Sequence, residues 1–321
     1  MASPNSTFTE LVSTTFRKHR KDIKDNLSNR NALLKYVMDR GNFRTQDDGG
    51  LSIVTPLDYA ANNTYQRYSD WDTLNIAASD VISSAEYQWR QIALNVVASG
   101  RELRINSGDS RIINLAKARI KNAMRTFNNN FSSDLYSSGA LTNQINGLQA
   151  LVADAGTGTV GGIDSSSFPF WQNTVIDASN LSVTPSATTI ESGLMLPGWL
   201  ATDRGPDDRV DLIVADNNYY TFFEASQLSL KRYNDTTKGS AGFTSLKYKT
   251  ADVVYDGNSG IPVNHMYGLN TSYLELVTHP DADLTVMDEM RPVNQDGAVT
   301  QILWMGNLVC SNRKQQFVIC P

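Results

Sequence analysis

Cysteine and histidine are nearly absent from this chain, with two Cys and three His in 321 residues. Cys310 and Cys320 stand near the C-terminal end with no second C-x-x-C to join, so they read as free thiols in a reducing compartment and not as a disulfide framework. His19, His265 and His279 leave little material for a zinc site or a nucleophile–histidine arrangement. Long apolar runs are missing too. No window approaches the roughly eighteen apolar residues of a membrane span, so no membrane partner is expected. The opening MASPNSTFTELV has no apolar core, and export by a signal peptide is not expected. Charge is sparse at 19%, yet aromatic and β-branched residues run through the whole chain, which excludes disorder as its main state. No G-x-x-x-x-G-K-[ST] occurs, so the P-loop nucleotide site is excluded.

Lysine is absent between Lys35 and Lys117. Basic residues instead gather at the start. Residues 1–44 hold nine Lys/Arg against four Asp/Glu, and the remainder holds nineteen against twenty-nine. A basic arm on an acidic body, within a net charge of −5, points to an anionic partner for the arm. The run RKHRKDIK, with Arg17, Lys18, Arg20 and Lys21, suits phosphates met by counterion release. It has no interleaved aromatics or recognisable module, so sequence-specific binding is not expected. A solvated helix face is the competing reading. The length suits two domains, or one large domain with long excursions.

Val12, Phe16, His19, Ile23 and Leu27 recur at helical steps, and Leu34, Val37 and Met38 continue them to a stop at Gly41. LSNRN interrupts the pattern, so one helix or two fit equally. From Gly49 the chain turns polar. Two short β-type runs, 51–55 and 71–76, flank a segment around Asn62, Asn63 and Arg67, which reads as a long hairpin over 50–76. Such a hairpin cannot bury a core alone, so it is either loose or lies on another subunit. Arg67, Asp70 and Trp71 are the candidate inter-subunit anchors. Residues 87–98 alternate as a strand. The clearest element is a helix over 109–138, with Ile112, Ala116, Ile120, Met124, Phe127, Phe131 and Leu135 on one face, Asp109 as N-cap and Gly139 as stop. Its opposite face carries Arg111, Lys117, Arg119, Lys121 and Arg125. Residues 148–154 read as a strand. Residues 210–215 read as a strand feeding a helix near Asp216. Further strands are expected over 246–250, 251–255, 265–269, 273–277, 299–304 and 316–319.

Chemical constellations are thin. Gly156, Gly158 and Gly161 match G-x-G-x-x-G, but the following IDSSSFPF is poor helix, and a pyrophosphate needs a helix N-terminus there. A flexible glycine loop is the preferred reading. Asp207 with Asp208, and Asp281 with Asp283, are pairs that could hold a metal or share acid–base work. Both lie in Pro-flanked loops and read as solvated turns. No catalytic residue, metal site or cofactor is expected.

Three stretches together carry a resemblance. ASGRELRINSGDSRIINLAKARIKNAMRTFNNNFSSDLYSSG resembles the segment leading into the spine helix of tailed-bacteriophage major capsid proteins. INGLQALVADAGTGTVGGIDSSSFPFWQN resembles the opening of their axial domain, and RPVNQDGAVTQILWMGNLVCSNRKQQFVIC their closing strands. The resemblance spans roughly residues 45–321. It implies an α+β chain of the Hong Kong 97-like capsid fold, with N-terminal arm, extended β-hairpin loop, long spine helix, peripheral domain and axial domain. In these terms the arm is 1–48, the extended loop 49–80, the peripheral domain with its spine helix 81–145, the axial domain 146–283, and the return strands of the peripheral domain 284–321.

The function implied is structural. The chain would self-assemble into hexamers and pentamers of an icosahedral head enclosing double-stranded phage DNA, a virion capsid assembled in the host cytoplasm. Implied partners are further copies of itself, a portal protein, packaged DNA bound non-specifically by the interior arm, and a decoration protein. The roughly hundred-residue N-terminal scaffolding segment of some relatives has no counterpart here, so scaffolding is expected to come from a separate scaffolding protein or from the arm. The family's type member joins an extended-loop lysine to an asparagine of a neighbour. Asn62, Asn63 and Asn75 are present, but the loop has no lysine, so that cross-link is not expected. Two alternatives stay open: an encapsulin-like nanocompartment shell, and a small enzyme using the glycine loop.

Overall fold

The computed structural model describes residues 32–46, 50–105, 109–206, 208–228, 245–256, 260–288, 290–291 and 293–321. The arm residues Arg17, Lys18, Arg20 and Lys21 lie outside the described residues, as does Asp207. The strands in chain order are β1 (Phe43–Thr45), β2 (Ser52–Asp58), β3 (Ile82–Gln88), β4 (Arg90–Ser99), β5 (Thr159–Val160), β6 (Ile163–Asp164), β7 (Thr174–Asp177), β8 (Leu212–Ala215), β9 (Ser245–Tyr248), β10 (Ala251–Tyr255), β11 (Met266–Leu269), β12 (Leu274–Thr278), β13 (Thr285–Val286), β14 (Gly297–Cys310) and β15 (Phe317–Cys320).

The first sheet is built on β14, whose 14 residues are long enough to serve several partners. β4 runs antiparallel along its first part, from Gly297↔Ser99 to Gly306↔Arg90. β12 pairs with its last residues and β13 with its middle. β1 adds to β12 in parallel. A 26-residue helix, Asp109–Asp134, packs on β4. At 1.5 Å per residue it is ~39 Å long. Ile120, Phe127 and Phe131 are buried along it, and the Phe131 ring meets Trp304 of β14 edge-on at 5.0 Å. The helix stops four positions before the expected end, because Tyr136 turns inward to donate a hydrogen bond to Asp256 (2.6 Å), and Gly139 follows at φ +66°. The side chains of residues 109–117 are outside the description, and with them the capping role of Asp109 and two of the basic positions, Arg111 and Lys117.

The second sheet has six strands in the order β7-β15-β11-β8-β10-β9. β8 explains the unbroken apolar run LIVA: Leu212 and Val214 face one core, while Ile213 and Ala215 face the other. A strand buried on both faces has no reason to alternate. Asp216 then caps the helix Asn217–Leu228 by accepting from the Tyr219 backbone N–H at 3.0 Å. The two sheets do not divide at 283–284. β12 belongs to the first sheet although it precedes that boundary, and β15 closes the second although it follows. The chain crosses between the sheets because β12 and β15 each complete a ladder begun far away in sequence.

One further expectation is corrected. Residues 148–154 form one helical turn, Leu148–Leu151, and not a strand. Leu148 and Leu151 are both buried at helical spacing, and the Leu148 N–H donates to the Leu135 carbonyl at 2.8 Å, which seats the turn on the end of the long helix. Arg313 is fully buried. Its guanidinium donates to the carbonyls of Leu151 (2.6 Å) and Trp171 (3.1 Å) and to Oδ1 of Asn173 (3.0 Å). Burial lowers its pKa, against the opposing influence of Cys310 and Tyr87.

The arm's described end is a strap across both sheets. The helix Ala32–Asp39 buries Leu33, Leu34 and Val37 and stops at Gly41, φ +76°, as its periodicity predicts. Tyr36 donates to Asp252 of β10 at 2.8 Å, and Arg40 pairs at 2.6 Å with Asp211, which immediately precedes β8. β1 then enters the first sheet.

Candidate assembly surface

The hairpin expected over 50–76 exists, with a different return strand. β2 pairs antiparallel with β3, from Ser52↔Gln88 to Asp58↔Ile82. Residues 71–76 form no strand. β3 wins because ISSAEYQ alternates: Ala85 and Tyr87 turn inward against Thr55 and Ile53, so the ladder also buries a face. Trp71, Leu74 and Ile76 find no such face and are exposed. The strand expected over 87–98 is broken at Trp89, whose indole donates to the Gly50 carbonyl at 3.1 Å. One side of that break is the hairpin, and the other is the first sheet.

Beyond the ladder, residues 59–81 project as an irregular tip held by its own polar side chains. Asn62 Oδ1 accepts from the backbone and hydroxyl of Thr64, at 2.9 and 2.8 Å. Gln66 donates to the Thr73 carbonyl and accepts from the Asn75 N–H, both at 3.0 Å. Asp72 accepts from the Ser69 N–H at 2.8 Å, closing a turn with Asp70 and Trp71 at its centre. Asn, Asp and Ser side chains fold loops in this way without an apolar core.

That framework presents apolar groups to solvent. Trp71 is 98% exposed, Ile76 92% and Tyr65 81%. Tyr68, Leu74 and Ile82 are exposed as well. Arg67 and Asp70 are exposed in the same tip, so the structure brings the three predicted anchors Arg67, Asp70 and Trp71 into one short arc. Tyr65, Tyr68 and Ile76 belong with them. The signal for these was present, since the tip places aromatics among residues too polar to cover them. A cluster of large exposed apolar side chains with a polar rim marks a binding surface.

The base of the hairpin rests on the glycine-rich segment. Gly161 and Gly162, at φ +59° and +75°, form the two-residue turn between β5 and β6. Two left-handed residues in a row make the tight hairpin turn that glycine favours. The Gly161 carbonyl accepts from the Glu86 N–H at 2.9 Å, and the Trp171 indole donates to the Val160 carbonyl at 2.9 Å. No α-helix follows the glycines: Asp164 accepts from the Ser166 N–H and the Ser167 hydroxyl, and both hold its pKa down. The expected flexible loop is therefore an ordered seat for β3.

The remaining candidates do not converge. His265 contacts Asp154, and His279 accepts from the Asp281 N–H. Asp208 accepts from the Asn270 amide at 2.9 Å. Both cysteines are free and buried; burial pushes the Cys310 thiol up to about 12 and the Cys320 thiol up to about 11.

No family model and no curated protein sequence matches the chain. Solved structures do match it. A chain of the cyanophage A-1(L) capsid asymmetric unit superposes with a TM-score of 0.63 at 17% identity, covering 87% of this chain and 89% of that one. The capsid of Myoviridae phage XM1 gives 0.53 at 11%, covering 87% and 90%. The holo-SrpI encapsulin complex from Synechococcus elongatus PCC 7942 gives 0.54 at 10%, covering 88% and 86%. The chain therefore has the mixed α+β, Hong Kong 97-like fold that phage capsid and encapsulin chains share.

Proposed function

We propose that the chain is the major capsid protein of a tailed phage, forming a shell around double-stranded DNA. The observation that carries this is the hairpin tip, which holds Tyr65, Trp71 and Ile76 in water on a self-supporting polar framework. A single chain has no use for that arrangement, and a neighbouring copy does. Each tip contact is heterologous, with one surface of a subunit meeting a different surface of the next. Such contacts close into rings of five and six, and the rings into a shell. Individual contacts stay modest because closure multiplies them. No side chain needs to act as a catalyst in this reading, and no cofactor is needed.

The long helix then serves as the spine, and 49–80 as the extended loop. The basic arm, with Arg17, Lys18, Arg20 and Lys21, faces the interior and meets DNA or an acidic scaffold without sequence preference. Portal, scaffolding and decoration proteins are the partners this role implies, in a head assembled in the host cytoplasm. An encapsulin-like shell around protein cargo is the second reading, favoured by the superposition on the encapsulin chain. Particles isolated from the source that naturally makes the protein separate the two. The capsid reading predicts DNA that survives added nuclease until the particles are opened. Particles filled with one enzyme and free of DNA would replace it with the encapsulin reading.

A further inference from the structure

His265 stands just before β11 and is 8% exposed. Both of its ring nitrogens face oxygens. Nδ1 is 2.9 Å from the Val263 carbonyl, and Nε2 is 3.1 Å from Oδ2 of Asp154. A carbonyl and a carboxylate only accept, so each contact requires the ring nitrogen to donate. Neutral imidazole has one N–H and can serve only one of them. The imidazolium serves both.

The surroundings agree. Asp154 approaches from the loop after the helical turn Leu148–Leu151. Asp216, just before the helix Asn217–Leu228, accepts from the Asn264 N–H at 2.8 Å and adds a second negative charge nearby. Tyr267 stacks on the ring at 6.3 Å, and its phenol stays protonated because burial raises its pKa. The Cys320 thiol on β15, near Asp154 and Tyr267, is neutral for the same reason. Burial is the largest single influence on His265 and works against the cation. The bonds to Asp154 and Val263 and the charges of Asp154 and Asp216 together outweigh it, so the net shift is upward.

Asp154 leads directly into the glycine hairpin β5–β6, on which β3 sits through Gly161 and Glu86. We propose that His265 is a pH-operated latch: protonated, it donates to Val263 and Asp154 at once and ties the root of the glycine hairpin to the second sheet through an ion pair, and deprotonated, it loses that ion pair and one of the two hydrogen bonds, which loosens the root. The raised folded-state value sets the sign. The tie is complete below the ordinary histidine value of about 6.5 and is lost as pH rises through the folded-state value.

Hydrogen exchange read by mass spectrometry on the full chain tests this. Peptides within 152–165 have the same sequence in wild type and His265→Gln, so the intrinsic effect of pH on exchange cancels between them. At about pH 6 the variant peptides should exchange about fivefold faster, the factor carried by a strong half-exposed ion pair, and at about pH 9 the two proteins should coincide. Asp154→Asn keeps an oxygen acceptor and removes its charge; it should retain protection in acid and lose it at a lower pH than wild type does. A ratio that stays the same at both pH values, no difference at either, or a wild-type midpoint in Asp154→Asn would overturn the latch.

Discussion

Gly161 and Gly162 are neighbours in one turn, and alanine at each should have a different effect. Both sit in the left-handed region, where an L side chain costs about 1–2 kcal/mol. Only Gly161 faces the extended hairpin. A Cβ there would lie 2.8 Å from the Ala85 Cβ and 3.2 Å from Cζ of Tyr87, whereas a Cβ on Gly162 would meet nothing within 4 Å. Ala85 and Tyr87 are both buried in the hairpin base and have little room to move. Overpacking of this kind costs about 1–3 kcal/mol in addition to the backbone strain. Gly161→Ala should therefore lose ~2–5 kcal/mol and Gly162→Ala ~1–2 kcal/mol. Any gain from stiffening the unfolded chain is common to both and cancels in the difference. Urea unfolding of unassembled protein, followed by tryptophan fluorescence, gives the two values. Gly161→Ala should also speed hydrogen exchange across 82–88, because the clash pushes the seat away from the Glu86 N–H. Equal losses in the two variants, or unchanged exchange over 82–88, would show that the glycine hairpin does not carry β3.

The remaining predictions concern the tip, the missing lysine and the thiols. Arg67→Ala and Trp71→Ala should leave the unassembled protein within about 0.5 kcal/mol of wild type, since both residues are exposed. Both should raise the concentration needed for assembly measured by light scattering, Trp71→Ala by more, as buried tryptophans dominate interfaces. Normal assembly, or loss of the monomer fold, would contradict the role given to the tip. Boiled mature particles on a denaturing gel should give a single band near 35.4 kDa, because the chain has no lysine between Lys35 and Lys117 to act as nucleophile. A ladder surviving reductant would refute this. At about pH 8 only ~10⁻⁴ of Cys310 and ~10⁻³ of Cys320 is thiolate, from values raised to about 12 and about 11, so a disulfide-exchange reagent should modify native protein only as fast as it unfolds. Rapid labelling of native protein would show that the thiols are accessible.

The parts of the fold legible in the amino-acid order are those where one local pattern decides the outcome. The long helix repeats an apolar face over seven turns' worth of chain, and nothing nearby competes with it. β8 is apolar at every position, and two-sided burial follows from that. The helix Ala32–Asp39 ends where Gly41 ends it. What escapes local reading depends on partners remote in sequence. ISSAEYQ holds too few apolar residues to announce a strand, and only its alternation against Ile53 and Thr55 selects it over 71–76. Residues 148–154 look extended until the end of the long helix supplies a partner for Leu148. The burial of Arg313 depends on Leu151, Trp171 and Asn173, all remote from it in sequence. The tip was legible through a deficiency, since it is too long and too polar to cover its own aromatics. Its seat was obscured by the G-x-G-x-x-G spacing, although Val160-Gly161-Gly162-Ile163 is the pattern of a tight hairpin turn.

Microscopy of the purified protein in negative stain tests the shell reading most directly. Closed particles of uniform diameter should form, with rings of five and six subunits visible in their walls, and should disappear in Trp71→Ala at a concentration where wild type assembles fully. A purified chain that stays dispersed at 35.4 kDa under every assembly condition, with or without scaffolding and portal proteins, would contradict that reading.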